Sequence, residues 1–137
     1  AMNGCYYSNH WALDAPDTNL QSFLTKFRAK YGGADPDAIA GLAYDAARVL
    51  FAAMEKLAAE DPQTFSGLSS KHAGSEARKA ATAKLRDLIA QTRDFPGVTG
   101  MITIDPNRNA SKPAVVIQIK DGKKVWATTT YPQTTAS

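Results

Sequence analysis

The side chains best suited to covalent chemistry are Ser8 and His10, near the start of the chain. Alternate residues of a strand point to the same side, so an extended segment would place these two side chains together. A histidine base beside a serine hydroxyl is the arrangement of a nucleophilic hydrolase. The alternative, which we favour, is that the two groups form a hydrogen bond at the end of a strand. Asp14 and Asp17 are interpreted as carboxylates at a helix start, and we expect no enzymatic activity.

No set of residues typical of a metal or cofactor site occurs in the sequence. His10 and His72 are the two histidines, and they are far apart, so a four-ligand zinc site is not indicated. Neither Gly-x-Gly-x-x-Gly nor a Gly-Lys-Ser/Thr run is present, so we expect no dinucleotide or phosphate site and no cofactor. Cys5 is the one cysteine, which excludes an internal disulfide. We predict that Cys5 is a buried, inert filler of a strand.

The segment of Ser8, Asn9, His10 and Trp11 is the candidate ligand-binding site. It follows a predicted strand, and in open α/β sheets ligands lie beyond the carboxyl ends of strands. Trp11 offers a stacking face, while the other three residues offer hydrogen bonds to a small polar ligand. The alternative is an interdomain hinge, in which the same groups bind the backbone of a crossing segment.

The composition is that of a globular chain. Of 137 residues, 44% are hydrophobic and 21% are charged, and the net charge is +3. This length allows one compact domain and not two. Basic residues are dispersed among acidic ones, which argues against a nucleic-acid partner, and no apolar run approaches the ~18 residues of a membrane span. Residues 1–4 do not resemble a signal peptide, so for an exported protein we expect the signal upstream of this sequence.

Apolar spacing predicts three helices that would position the candidate site. They cover residues 16–31, 35–59 and 75–93. Asp35 is the predicted cap of the second helix and Ser75 that of the third, while residues 61–74 are predicted to be a surface excursion. The second helix carries a broad apolar stripe that we predict to be core: Ile39, Leu42, Ala43, Ala46, Ala47, Leu50, Met54 and Leu57. Within it, Tyr44 and Asp45 are open to two interpretations, a surface or packing detail, or a role in a cleft or hinge.

Strand patterns lie at both ends of the chain. Residues 4–8 predict a short buried strand, and residues 98–104 a second strand. Residues 114–119 and 124–129 flank Asp121 and Gly122, a strong hairpin signal, and the polar tail from residue 133 is predicted to be frayed. Two isolated strands and a hairpin cannot bury the apolar faces of three helices, so this α/β pattern is incomplete and indicates a missing partner.

Five segments carry motifs in a characteristic order: residues 4–11, GCYYSNHW; residues 23–32, FLTKFRAKYG; residues 41–47, GLAYDAA; residues 95–105, FPGVTGMITID; and residues 112–123, from KPAVVI to DGK. In this order they resemble periplasmic solute-binding proteins of the branched-chain amino acid (Leu/Ile/Val) receptor family, in their C-terminal portion only. The Ser/Gly-rich residues 61–74 depart from the family pattern.

The resemblance implies an incomplete Rossmann-like lobe of a type I periplasmic binding protein, formed of strand, three helices and strand, with a C-terminal antiparallel β-hairpin that belongs to the second lobe. Residues 1–112 would form the C-terminal half of the N-terminal lobe, with residues 1–11 as the interlobe crossing and first strand. Residues 113–137 would be the terminal hairpin of the other lobe and a tail. The main ligand groups of the family lie mostly upstream and cannot be carried over.

Function follows from the resemblance as an expectation. The chain would be a fragment of the periplasmic receptor of an ABC-type importer, which binds an amino acid or another aliphatic or aromatic carboxylate between two lobes. Its partners would be the missing N-terminal part of the same protein or a swapped protomer, and the membrane permease. The alternative is a ligand-sensing regulatory or receptor domain of the same fold.

Overall fold

The computed structural model describes residues 2–72 and 74–132; the predicted frayed tail, from residue 133 onward, lies outside them. The helices are α1 (Thr18–Lys30), α2 (Ala38–Glu60), α3 (Pro62–Ser66) and α4 (Glu76–Ala90), with a 3-10 turn at Gly67–Ser69. The strands are β1 (Tyr6–Asn9), β2 (Phe95–Gly97), β3 (Gly100–Ile104), β4 (Ala110–Ser111), β5 (Ala114–Lys120) and β6 (Lys123–Thr130). The predicted α/β class is confirmed.

The strands form two small antiparallel sheets, in the orders β1-β5-β6 and β2-β3-β4. The predicted hairpin is confirmed: β5 and β6 join through Asp121 and Gly122, whose φ angles of 51° and 75° fit a tight two-residue turn. In the same sheet β1 pairs with β5, with Tyr6 opposite Gln118. Because β1 shares a sheet with the hairpin, the start of the chain lies beside its C-terminal strands. The division into lobes at residue 112 stays a prediction.

The predicted burial of the first strand is wrong. Tyr6, Tyr7 and Ser8 are exposed, and Cys5 is an exposed free thiol. The pattern of short, uncharged, aromatic residues was interpreted as core, but β1 is an edge strand whose outer side has no neighbour among the described residues. An edge strand keeps solvent access that a central strand would lose.

Of the two predicted helix caps, Ser75 is confirmed and Asp35 is wrong, while Asp17, predicted only as a carboxylate at a helix start, is the cap of α1. Asp17 caps α1 by accepting a hydrogen bond from Leu20 N, and Ser75 caps α4 by accepting from Arg78 N. The predicted cap of the second helix, Asp35, instead pairs with Arg28 at 2.6 Å. The capping carboxylate is that of Asp37, two residues later.

The buried face of α2 shares Leu57 with the predicted stripe and otherwise differs from it. The buried residues recur every four positions: Gly41, Asp45, Val49, Ala53 and Leu57. Of the predicted core residues, Ile39 is 72% exposed and Leu50 is 38% exposed. The helix therefore has a second apolar face, which is only partly covered within the described part of the chain.

The predicted surface excursion at residues 61–74 is in part a packed element. Asp61 caps α3 by accepting from Thr64 N, and Phe65 and Leu68 pack against a buried cluster of Ala53, Leu57 and Leu88. This segment thus joins α2 to α4 across a small core of its own.

The predicted strand at residues 98–104 is confirmed from Gly100 onward, as β3, but its first two residues form a turn. β2 and β3 are antiparallel neighbours, and Gly97 lies opposite Gly100, so Val98 and Thr99 form the two-residue connection. Val and Thr are strand formers and carry no local turn signal, which is why the pattern predicts that the strand begins at Val98.

Candidate functional site

A cleft of about 400 Å³ lies between the two sheets. It is bordered by the start of α1, by the turn of Val98 and Thr99, and by Thr128 and Thr129 of β6. Two tryptophans, Trp11 and Trp126, also line it. The volume lies within the range of small-molecule sites, which are largely apolar with a few polar groups.

The structure separates the four predicted ligand residues. His10 and Trp11 line the cleft, whereas Ser8 and Asn9 do not. Asn9 borders a different depression, and its side-chain oxygen accepts a hydrogen bond from the backbone N–H of His10. Among the described residues, Ser8 and His10 make no side-chain hydrogen bond to each other. The assignment of these four residues to a ligand site stays a prediction, and His10 is the best placed of them.

Trp11 is mainly a core residue. It is 4% exposed and belongs to a buried cluster with Leu20, Leu24 and Val115. Its ring lies 5.9 Å, between centroids, from that of Phe23. Little of the indole is therefore left to stack on a ligand.

Gly41 is the position on α2 against which the Trp11 ring packs. A methyl group there would lie 2.2 Å from Cζ3 of Trp11. Because Phe23 contacts the same ring, the indole has little room to move aside. We expect Gly41→Ala to lower the free energy of unfolding by about 1–2 kcal/mol, since overpacking outweighs the gain in helix propensity.

Urea unfolding of Gly41→Ala beside Gly74→Ala would measure this effect. Gly74 has no atom within 4 Å of its hypothetical methyl group, so its replacement should leave stability nearly unchanged. Equal urea midpoints for the two variants would contradict the prediction and show that the indole of Trp11 can move aside.

Asp45 holds the turn of Val98 and Thr99 in place. Its carboxylate, 2% exposed, accepts hydrogen bonds from Val98 N at 2.8 Å, from Thr99 N at 2.8 Å and from Thr99 Oγ1 at 2.7 Å. A methyl group on Gly97 would lie 2.7 Å from Oδ2 of Asp45. The glycine is thus what lets the carboxylate approach the turn so closely.

Lys112 also binds the turn, through the same threonine hydroxyl that donates to Asp45. Its Nζ donates a hydrogen bond to Thr99 Oγ1 at 2.9 Å. Burial lowers the pKa of Lys112 and the charge of Asp45 opposes that shift. We refer to Asp45, Thr99 and Lys112 as the turn network.

Sequence reasoning missed most of the turn network. Asp45 was noted as having either a packing role or a cleft role, and the structure shows it as a buried support for the cleft. Lys112 was noted only as part of a family motif. The one local signal was a carboxylate within an apolar helix, since a buried charge needs partners.

Comparison with known proteins identifies the family of this chain. A family model described as a periplasmic binding protein matches residues 1–124. The chain belongs to the periplasmic binding protein family. A comparison with curated protein sequences gives no match.

Solved structures place this periplasmic binding protein chain within a larger fold. A leucine-binding protein from Thermotoga maritima is 29% identical, with a TM-score of 0.67 over 96% of this chain and 32% of that one. A substrate-binding protein of an ABC transporter from Desulfitobacterium hafniense, in complex with Leu, is 24% identical, with a TM-score of 0.66 over 92% and 32%. A solute-binding protein from R. palustris in complex with benzoate is 20% identical, with a TM-score of 0.61 over 96% and 32%.

The last two likenesses show the fold alone. They confirm, with the first, the prediction of a partial type I periplasmic binding fold. The chain spans about a third of the length of these structures. None of its described helices is both long enough and apolar enough to cross a membrane.

Proposed function

We propose that this chain is part of the extracytoplasmic receptor of an ABC-type importer, a protein that binds a small solute without transforming it. The observation that carries the proposal is the cleft between the two sheets, in a member of the periplasmic binding protein family. Binding would stabilise a closed arrangement of the walls relative to an open one, which is how a ligand shifts a population.

We propose that the solute is an amino acid or a related small carboxylate. The body of the cleft is apolar, with Leu20, Val98 and Met101 on its surface. Thr128 and His10 offer hydrogen-bond donors for a carboxylate. Oδ1 of Asp17 accepts the capping hydrogen bond from Leu20 N. The other carboxylate oxygen of Asp17 can accept a hydrogen bond from an ammonium group.

The partners that we propose are the rest of the receptor and a membrane permease. The support for the first is the second apolar face of α2, where Ile39 is 72% exposed and Phe51 is 56% exposed. A helix that is apolar on opposite faces is normally covered on both. Intact mass with gel filtration of the natural protein would show whether this face is covered by more of the same chain or by a second protomer.

Thermal denaturation of the complete natural protein tests the ligand proposal. Leucine, isoleucine, valine and benzoate form the panel, together with 4-methylpentanoate, which is leucine without its amino group. Stabilisation by a ligand that binds only the folded state grows with its concentration, and reaches about 2.7 kcal/mol at a hundredfold excess over Kd. A melting temperature that rises with leucine and not with 4-methylpentanoate supports the amino acid form of the proposal. If none of the five compounds raises the melting temperature, the ligand proposal is contradicted.

A further inference from the structure

The turn of Val98 and Thr99 forms part of the cleft surface, yet it lacks the features that stabilise such turns. Two-residue hairpin connections favour turn types with positive φ, and therefore Gly, Asn or Asp. Neither Val98 nor Thr99 has a positive φ. The conformation of the turn must therefore be held by contacts from outside the hairpin.

These contacts come from two places that are distant in the sequence. Asp45 lies in α2, 53 positions before Val98. Lys112 lies between β4 and β5, at the point where the chain passes from one sheet to the other. Neither of the two side chains lines the cleft, so neither touches a solute bound there.

The hydrogen bonds of the turn network have a fixed direction. An ammonium group can only donate, and an ionised carboxylate can only accept. Thr99 Oγ1 therefore accepts from Lys112 and gives its single proton to Asp45. One hydroxyl thus connects the turn to both charged groups, and its rotation is fixed from both sides.

Packing strengthens the same connection. A methyl group on Gly100 would lie 2.5 Å from Cγ of Pro113, and Gly100 has a φ of 104°. Gly100 follows the turn, while Pro113 follows Lys112. The segment that joins the two sheets, which contains Lys112 and Pro113, therefore packs closely against the turn beside the cleft.

We propose that Lys112 and Asp45 are positioning residues, which hold this surface of the cleft in its binding geometry through the hydroxyl of Thr99. The effect on affinity rests on the proposed ligand-binding function, whereas the effect on the turn can be measured without a ligand. Lys112 is the better residue to test, because it is only partly buried and its loss leaves the Asp45 hydrogen bonds in place.

The test compares three variants of the complete natural protein. Lys112→Met removes the donor and keeps much of the side-chain length. Lys112→Arg keeps a charged donor and serves as the rescue. Lys120→Met is the matched control, since Lys120 is exposed at the end of β5.

Amide hydrogen exchange of Val98 and Thr99 is the first measurement. Loss of one charge-assisted hydrogen bond is expected to speed exchange at both amides about tenfold in Lys112→Met. Lys112→Arg should recover much of the protection, and Lys120→Met should show none of the change. Unchanged exchange in Lys112→Met would overturn the proposal. If Lys112→Met does not fold, Thr99→Val replaces it, because it removes at nearly constant shape the hydroxyl through which Lys112 acts, and it should speed exchange at the same two amides.

Calorimetric titration with L-leucine is the second measurement. We expect Lys112→Met to weaken binding about three- to tenfold, with recovery in Lys112→Arg, as for a coupling of about 1 kcal/mol between sites that do not touch. Equal affinity in Lys112→Met, despite faster exchange, would overturn the positioning role. Absence of binding by the unaltered protein to L-leucine and to the rest of the panel would count against the proposed function, and the exchange rates alone would then decide whether Lys112 holds the turn.

Discussion

Replacing Asp45 with alanine is expected to lower the free energy of unfolding by about 3–5 kcal/mol, the largest loss that we expect from a polar substitution among the described residues. The carboxylate accepts three hydrogen bonds in a site from which water is excluded. Its removal leaves the N–H groups of Val98 and Thr99 buried without acceptors. It also leaves the ammonium of Lys112 without the charge that offsets its burial.

Urea unfolding of Asp45→Ala, with Asp45→Asn and Asp87→Ala beside it, measures this loss. The amide of asparagine keeps one acceptor and points a donor at the turn, so we expect Asp45→Asn to lose a substantial part of the same free energy. Asp87 lies on α4 with an exposed pair to Arg86, and its replacement should cost less than about 1 kcal/mol. If Asp45→Ala were as mild as Asp87→Ala, the turn would have another support.

The predictable parts of this fold are those fixed by neighbours in the sequence. Ser75 was identified as a cap, and Asp17 as a carboxylate at a helix start, because a capping side chain bonds to a backbone N–H three residues later. Asp121 and Gly122 were identified as a turn because their residue types suit positive φ. In each case the information lies within a few residues of the feature.

The parts that could not be predicted depend on contacts between distant residues. The turn of Val98 and Thr99 exists because of Asp45, which no local pattern connects to it. The apolar period of α2 pointed to Ile39 and Leu50, whereas the described core uses the face that carries Asp45. Apolar spacing counts an aspartate as evidence against burial, so the pattern favoured a different face from the one that is buried.

The candidate site shows the same division. The order of residues in the sequence put His10 and Trp11 directly after a predicted strand, and both line the cleft. Hydrogen-bonding capacity alone could not separate Ser8 from His10, because that distinction depends on where β1 pairs with β5. The threonines of β6 border the cleft because β6 pairs with the other side of β5, far in the sequence from the predicted segment.

Replacing Trp11 with alanine is expected to lower the free energy of unfolding by about 3–5 kcal/mol, because it removes a large aromatic side chain from the core and leaves a cavity. The indole fills the space between Phe23 and Gly41, so its loss leaves a cavity at the junction of α1 and α2. Trp126→Ala is the matched control. That side chain is only partly buried, and we expect its loss to cost about half as much.

A second variant separates the core role of Trp11 from a ligand role. Trp11→Phe keeps an aromatic ring in the cluster and should lose much less stability than Trp11→Ala. If Trp11 serves the cleft only as packing, Trp11→Phe binds L-leucine with nearly the affinity of the unaltered protein. If the indole contacts the solute, affinity falls more than stability does. Because the ring is 4% exposed and pressed against Gly41, we expect the first result, which would leave His10 as the one residue of the original candidate segment with a direct path to the solute.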